Sequence, residues 1–89
     1  SVVTVRGINI FPEKIQEALA SIEGLGPDYS LTVTEKDGLK DQILLRTPVS
    51  PEIGRLTEEK KIAFKERVEL TLRRALGLRV AVEFRSFSP

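Results

Sequence analysis

The chain has 89 residues with fourteen basic and thirteen acidic side chains, and its formal net charge of +1 gives no strong field to attract nucleic acid or an anionic membrane. This length suffices for one domain, 1–89, with one core, and 40% hydrophobic residues are typical of a globular protein. The absence of histidine and cysteine excludes Ser-His-Asp and Cys-His catalysis, disulfides and thiolate chemistry within the chain.

The first predicted elements are a strand and a helix. A β-branched run over residues 2–5 predicts a strand that ends in a bend at Gly7. Pro12 fits the first turn of a helix, and apolar side chains recur at helical spacing over residues 12–23. The glycines and proline of residues 24–27 end this helix.

A hairpin is predicted next, because apolar and polar residues alternate over residues 29–34 and again over residues 42–46. Residues 35–38 between them form a turn that ends in Asp-Gly. The two prolines of residues 48–51 predict the end of the second hairpin strand, which is the third predicted strand of the chain, and a loop to about residue 56.

A second helix is predicted from Thr57, a good N-cap, to Gly77, which closes it. Alternation over residues 78–84 predicts a last strand. Arg73 and Arg74 in the last helical turn favour the helix dipole and are candidates to contact a phosphate.

The predicted order β-α-β-β-α-β indicates an α+β, ferredoxin-like sandwich made of two split βαβ units. Right-handed crossovers would place both helices on one face of a four-stranded antiparallel sheet. The expected strand order is 4-1-3-2, with the first strand beside the third in the centre.

The residues with candidate chemistry are few. A βαββαβ sheet binds RNA by stacking bases on aromatic side chains of its central strands, and the first and third predicted strands carry none. Gly24-x-Gly26 follows a helix and precedes a strand, the reverse of a phosphate-binding loop. Scattered carboxylates define no metal site. We therefore expect no nucleic acid, no resident metal and no catalytic residue in the chain.

The stretch Arg6-Gly7-Ile8-Asn9-Ile10-Phe11-Pro12 is the most informative one. A glycine after an apolar strand permits backbone geometry that a side chain would block, although such a bend is also common as simple punctuation. The motif, extended to Ile15, resembles the C-terminal domain of phenylacetate–coenzyme A ligases. The resemblance continues through Leu25-Gly26-Pro27-x-Tyr29 and the hairpin to Leu76-Gly77, and so covers nearly the whole chain.

The resemblance implies a mobile lid domain of a cytoplasmic adenylate-forming enzyme. Such ligases use ATP and Mg²⁺ to convert an aryl acid to an acyl-adenylate, and then transfer the acyl group to coenzyme A with release of AMP. The partner of this domain would be a large N-terminal domain that holds ATP and the acid. A homodimer of the parent enzyme is also compatible with the resemblance. Arg6, Gly7 and Asn9 would face that domain and coenzyme A when the thioester forms.

The chain departs from the family pattern at both ends. The acidic hinge residue would fall at or before Ser1, and the lysine that supports adenylation would follow Phe87-Ser88-Pro89. We therefore expect the isolated chain to bind no cofactor and to be inactive. The alternatives are an amino-acid-sensing regulatory domain or a dimerisation domain with the same order of elements.

Overall fold

The computed structural model describes residues 2–86, which form an α+β fold as predicted. The two termini discussed above, at Ser1 and Phe87 to Pro89, lie outside the described residues. The elements are, in chain order, β1 (Val3–Val5), β2 (Ile8–Ile10), α1 (Pro12–Ala20), β3 (Ser30–Lys36), β4 (Leu39–Val49), α2 (Pro51–Gly54), α3 (Glu58–Leu76) and β5 (Val80–Ser86).

The sheet differs from the predicted one. Within residues 2–86, β3, β4 and β5 form a three-stranded sheet in that order, in which β3 is antiparallel and β5 parallel to β4. β1 pairs instead with β2 in a separate antiparallel hairpin, with Val3 opposite Ile10. The expected four-stranded antiparallel sheet of order 4-1-3-2 is therefore wrong.

The reason for this difference is the segment Ile8–Ile10, which forms a strand that sequence analysis did not predict. Closing a hairpin over two residues costs little chain entropy, so this local partner takes the hydrogen bonds of β1. The position beside β4 is then occupied by β5, which runs parallel to it after the long α3 connection.

β4 also continues through Pro48, where a loop was predicted. The carbonyl oxygen of Pro48 accepts a hydrogen bond from the N–H of Gly26 at 3.0 Å. β3 has already ended there, since its first residue pairs with Arg46. The backbone nitrogen of Pro48, which carries no hydrogen, therefore points to the side of β4 on which β3 has already ended. Its lack of an N–H removes no hydrogen bond between β4 and β5.

The core lies between one face of the sheet and the helices. Ile43 and Leu45 of β4 pair with Val80 and Val82 of β5, and all four side chains are buried on the same face. Buried residues of α1, α3 and the hairpin join this single core; they are Val5, Ile10, Ile15, Ala18, Leu19, Phe64, Val68, Leu72 and Leu76. The opposite face of the sheet carries Gln42 and Ala81, which are exposed.

α3 begins and ends as predicted. The Thr57 hydroxyl accepts a hydrogen bond from the N–H of Lys60 at 3.2 Å, and Gly77 adopts a left-handed φ of 83°. In the described part of the chain, α3 included, no helix has the length and apolar character needed to span a membrane.

Glu69 of α3 protects the outer edge of β5. Its Oε2 accepts a hydrogen bond from the N–H of Val82 at 2.9 Å, which joins α3 to β5. Val82 is buried and Glu69 is half-buried, so the N–H would otherwise point away from water without a partner.

We expect Glu69→Ala to lower the free energy of unfolding by about 1–2 kcal/mol, because it leaves the N–H of Val82 unsatisfied. Urea unfolding followed by circular dichroism measures this change. Glu66→Ala, one turn earlier on an exposed part of α3, is the control and should stay within about 0.5 kcal/mol of the wild type. Equal losses in both variants would contradict the role of this hydrogen bond.

Candidate functional site

The predicted site residues lie on the β1–β2 hairpin. Arg6 and Gly7 are the two residues of its turn, between the paired residues Val5 and Ile8. Their φ angles of 52° and 78° are both positive, as a type I′ turn requires. The turn thus projects from the end of the hairpin, with the Arg6 side chain exposed.

A backbone hydrogen bond fixes the tip of the hairpin on β4, and an exposed ion pair lies beside it. The N–H of Arg6 donates a hydrogen bond to the carbonyl oxygen of Lys40 at 3.2 Å. The guanidinium Nε of Arg6 lies 3.6 Å from Oδ1 of Asp41, while the Arg6 side chain remains 66% exposed. One residue from each strand, Val5 and Ile10, is buried in the core and holds the base of the hairpin.

Arg6 is unusual for the first position of such a turn. The second hairpin of the chain has the same geometry at Asp37 and Gly38, with φ angles of 54° and 78°. Asp-Gly is a preferred sequence for type I′ turns, because aspartate tolerates positive φ far better than a long side chain does. Arginine at this position therefore costs backbone energy that aspartate or asparagine would avoid, which is typical of residues kept for a function.

Two neighbouring cavities open beside Arg6. The first, of about 370 Å³, lies over the uncovered face of the sheet and is lined by residues of β3, β4 and β5 together with Arg6, Asp41 and Arg79. The second, of about 580 Å³, is bounded by the hairpin and the end of α3, and its lining residues are Arg6, Ile8, Gln42, Arg73, Gly77, Leu78 and Arg79. We call this second one the arginine cavity.

The structure brings together arginines that the sequence presented singly. Arg73 lies in the last turn of α3 and Arg79 follows the turn after it, and both face the arginine cavity with Arg6. Arg74 lines neither cavity that contains Arg6. Arg46 instead forms an ion pair with Glu83 at 3.1 Å.

Gly7 and Asn9 line neither of these cavities. A Cβ atom placed on Gly7 would meet no atom within 4 Å, so the space at this turn is open. Asn9 is exposed, and its Oδ1 accepts a hydrogen bond from the Thr4 hydroxyl opposite at 2.8 Å. The three predicted residues therefore share one hairpin, but only Arg6 faces the cavity.

The chemistry of the site is that of binding. The arginine cavity contains guanidinium groups, one amide and apolar side chains, with no nucleophile or carboxylate. Across residues 2–86, no group of three or more carboxylates is arranged to hold a metal ion. The arrangement is suited to contact an anionic ligand or another protein surface.

Comparison with known proteins identifies similar domains. A family model described as the AMP-binding enzyme C-terminal domain matches residues 7–88. A phenylacetate-coenzyme A ligase from Aromatoleum evansii is 36% identical over 64 residues, which are 70% of this chain and 14% of the relative. The chain thus spans about a seventh of that relative's length.

Solved structures agree with this match. The chain aligns with 2-hydroxyisobutyryl-CoA ligase at 27% identity, and the alignment covers 97% of this chain and 18% of the ligase. The TM-score is 0.86 for the structure of that ligase in complex with 2-HIB-AMP and CoA in the thioesterification state. The postadenylation state of the same ligase gives 0.83. A domain of phenylacetate-coenzyme A ligase from Bacteroides vulgatus has the same fold, with a TM-score of 0.82 at 20% identity over 97% of this chain and 79% of that one.

We expect Arg6→Asn to raise the free energy of unfolding by about 0.5–1 kcal/mol, because asparagine adopts positive φ more readily than arginine. The exposed ion pair with Asp41 that is lost contributes little. Thermal unfolding should show a higher midpoint, by roughly 2–8 °C for a domain of this size.

The reciprocal change, Asp37→Arg in the other hairpin, is the matched control and should lower the midpoint by a similar amount. A loss of more than about 1 kcal/mol in Arg6→Asn would show that Arg6 stabilises the fold, and would remove the argument that it is kept for a function.

Proposed function

The chain belongs to the AMP-binding enzyme C-terminal domain family, and from this membership we propose that it is the mobile lid of an ATP-dependent ligase that joins an aryl acid to coenzyme A. The observation that carries the proposal is the family match over residues 7–88, together with a relative that is a phenylacetate-coenzyme A ligase. The small share of the ligase chains that the domain covers supports a large N-terminal domain as its partner.

In the proposed reaction, the large domain binds the acid and the magnesium complex of ATP. The carboxylate attacks the α-phosphate, which yields an acyl-adenylate and releases pyrophosphate. The thiolate of coenzyme A then attacks the acyl carbon, and AMP leaves with the bonding electrons of the acyl–oxygen bond. The lid would change its pose between these two steps, so that each step has its own set of domain contacts.

Two features support movement as one body. The chain aligns almost equally well with the postadenylation and thioesterification states of 2-hydroxyisobutyryl-CoA ligase, so the fold of the corresponding domain is alike in both. In the present chain, the hairpin, α1, α3 and the sheet share one core, which resists internal rearrangement.

Within this proposal, Arg6, Gly7 and Asn9 form the surface that faces the large domain and coenzyme A during thioester formation. The projecting turn supports this placement, because it stands clear of the core and has open space at Gly7 for a neighbouring group. Arg6 and Asn9 provide exposed polar groups on the same hairpin.

The amino-acid-sensing alternative has less support. It depended on a β-α-β-β-α-β order, and the described chain has an additional strand, β2, and a parallel pair, β4 and β5. The family match also favours the ligase domain over a dimerisation domain.

We expect Gly7→Trp, introduced into the ligase that carries this domain, to slow thioester formation about tenfold or more while adenylation changes by less than about twofold. A bulky side chain at the turn would obstruct contacts made only in the second step. Single-turnover measurements of each half-reaction provide the comparison.

Gly38→Trp is the matched control, because Gly38 has the same φ of 78° and the same open surroundings in the other hairpin. It imposes similar backbone strain at a turn that contains none of Arg6, Gly7 and Asn9, and both half-reactions should stay near the wild-type rates. If Gly7→Trp slows the two half-reactions equally, the placement of the turn is wrong.

A further inference from the structure

A further cavity lies at the end of the sheet away from the β1–β2 hairpin. It has a volume of about 470 Å³, and β4, α2, α3 and β5 all contribute lining residues. β4 begins near the hairpin tip at Leu39 and ends at this cavity with Val49, and a strand of this length spans roughly 30 Å. We call it the strand-end cavity, and no residue of the hairpin lines it.

The strand-end cavity combines apolar walls with positive charge. Four of its eight lining residues have apolar side chains; they are Val49, Pro51, Ile53 and Phe84. The charged ones are Lys61 and Arg85, and none of the described residues that line the cavity carries a carboxylate. We propose that the strand-end cavity binds a small organic carboxylate that carries a compact apolar group. This ligand site goes beyond the proposed lid function.

The wall formed by α2 is fixed by the loop that precedes β3. The N–H of Ser50 donates a hydrogen bond to the carbonyl oxygen of Gly24 at 2.8 Å, and the Ser50 hydroxyl accepts one from the N–H of Ile53 at 3.4 Å. A Cβ atom on Gly24 would lie 2.7 Å from Cγ1 of Ile53, so Ile53 packs directly on the backbone of this glycine. The cavity therefore exists without a ligand, and little ordering is needed when one binds.

Both cations of the strand-end cavity have donors left for a ligand. Arg85 donates one hydrogen bond to the carbonyl oxygen of Asp28 and forms no ion pair within residues 2–86, so its other N–H groups are available. Nζ of Lys61 lies 3.5 Å from Oε1 of Glu58, but the Glu58 side chain is 88% exposed and such surface pairs contribute little. A ligand carboxylate in the cavity can replace Glu58 or share the ammonium with it.

The charge and the walls together favour a monocarboxylate over an inorganic anion. Glu58 already balances part of the positive charge of Lys61, so the cavity lacks the excess charge that a polyphosphate needs. An inorganic anion would also leave the apolar walls in contact with water, whereas an attached apolar group covers them. Phe84 makes this surface firm, because its ring packs against that of Phe64 with centroids 5.5 Å apart.

The test uses the present chain, since a related domain of phenylacetate-coenzyme A ligase has been crystallised as a domain. In NMR titrations up to about 10 mM, cyclohexanecarboxylate and pivalate should shift the backbone amide signals of Ser50, Ile53 and Phe84 in a saturable manner. Cyclohexanecarboxamide lacks the charge and acetate lacks the apolar group, so each should bind at least about tenfold more weakly, as should inorganic pyrophosphate. Absence of binding by both carboxylates, or equal binding of any of these three control probes, overturns the proposal.

The two cations can be tested one at a time. Lys61→Gln and Arg85→Gln should each weaken cyclohexanecarboxylate binding about five- to tenfold, because each removes a charge-assisted hydrogen bond. Lys60→Gln and Arg79→Gln are the matched controls, since each removes a like charge from a residue close to the same element that does not line the cavity. Equal losses in the controls would mean that general electrostatic attraction holds the ligand, and would overturn the site.

A cavity-filling variant tests the placement of the ligand without changing any charge. Gly54 lines the cavity, and a Cβ atom there would meet no atom within 4 Å. Gly54→Phe should therefore keep the thermal unfolding midpoint near that of the wild type and weaken cyclohexanecarboxylate binding more than about tenfold. Unchanged binding in this variant contradicts the proposed site. None of these outcomes affects the lid function, which the two half-reactions test separately.

Discussion

The attachment of the hairpin tip to β4 is the constraint on which the candidate site depends. A single backbone hydrogen bond joins Arg6 to Lys40, and Val5 and Ile10 anchor the two strands in the core. Because α1 begins at Pro12, just after β2, the same attachment also sets where that helix starts against α3. The position of one exposed guanidinium thus depends on packing distributed over much of the domain.

Features with local causes could be predicted from the sequence. The N-cap at Thr57, the left-handed end at Gly77 and the Asp37-Gly38 turn each depend on a few neighbouring residues, and the structure has all three. The buried stripe of α3 follows from the spacing of its apolar residues. The strand pairing could not be predicted in this way, because it depends on competition between distant segments.

Two local patterns were misleading for identifiable reasons. Ile8–Ile10 is only three residues long and is followed closely by Pro12, so its short alternation did not indicate a strand. Pro48 normally argues against a strand, yet here its missing N–H lies where β3 has ended. In both cases the neighbouring strand determined whether the segment forms a strand. The alternation of apolar and polar residues within a segment does not reveal which strand will be its neighbour.

The candidate site also has one part that the sequence indicates and one part that only the fold brings together. Arg6, Gly7 and Asn9 were predicted from a motif that is contiguous in the chain, and Arg6 alone of these three lines the arginine cavity. Arg73 and Arg79 were isolated charges in the sequence, and the signal that could have joined them is the short turn at Gly77 and Leu78. Their proximity to Arg6 follows from the docking of the hairpin, which no spacing rule indicates.

The edges of the sheet have a consequence for association with other chains. β3 is exposed except at the half-buried Val33, and it has a bulge between Thr34 and Glu35, next to Lys36. Irregular, charged edges are poor templates for added strands. At the opposite edge of the sheet, β5, the carboxylate of Glu69 already accepts the hydrogen bond of the Val82 N–H. If the proposed lid movement occurs, it would therefore expose sheet edges that are poorly suited to pair with the strands of another chain.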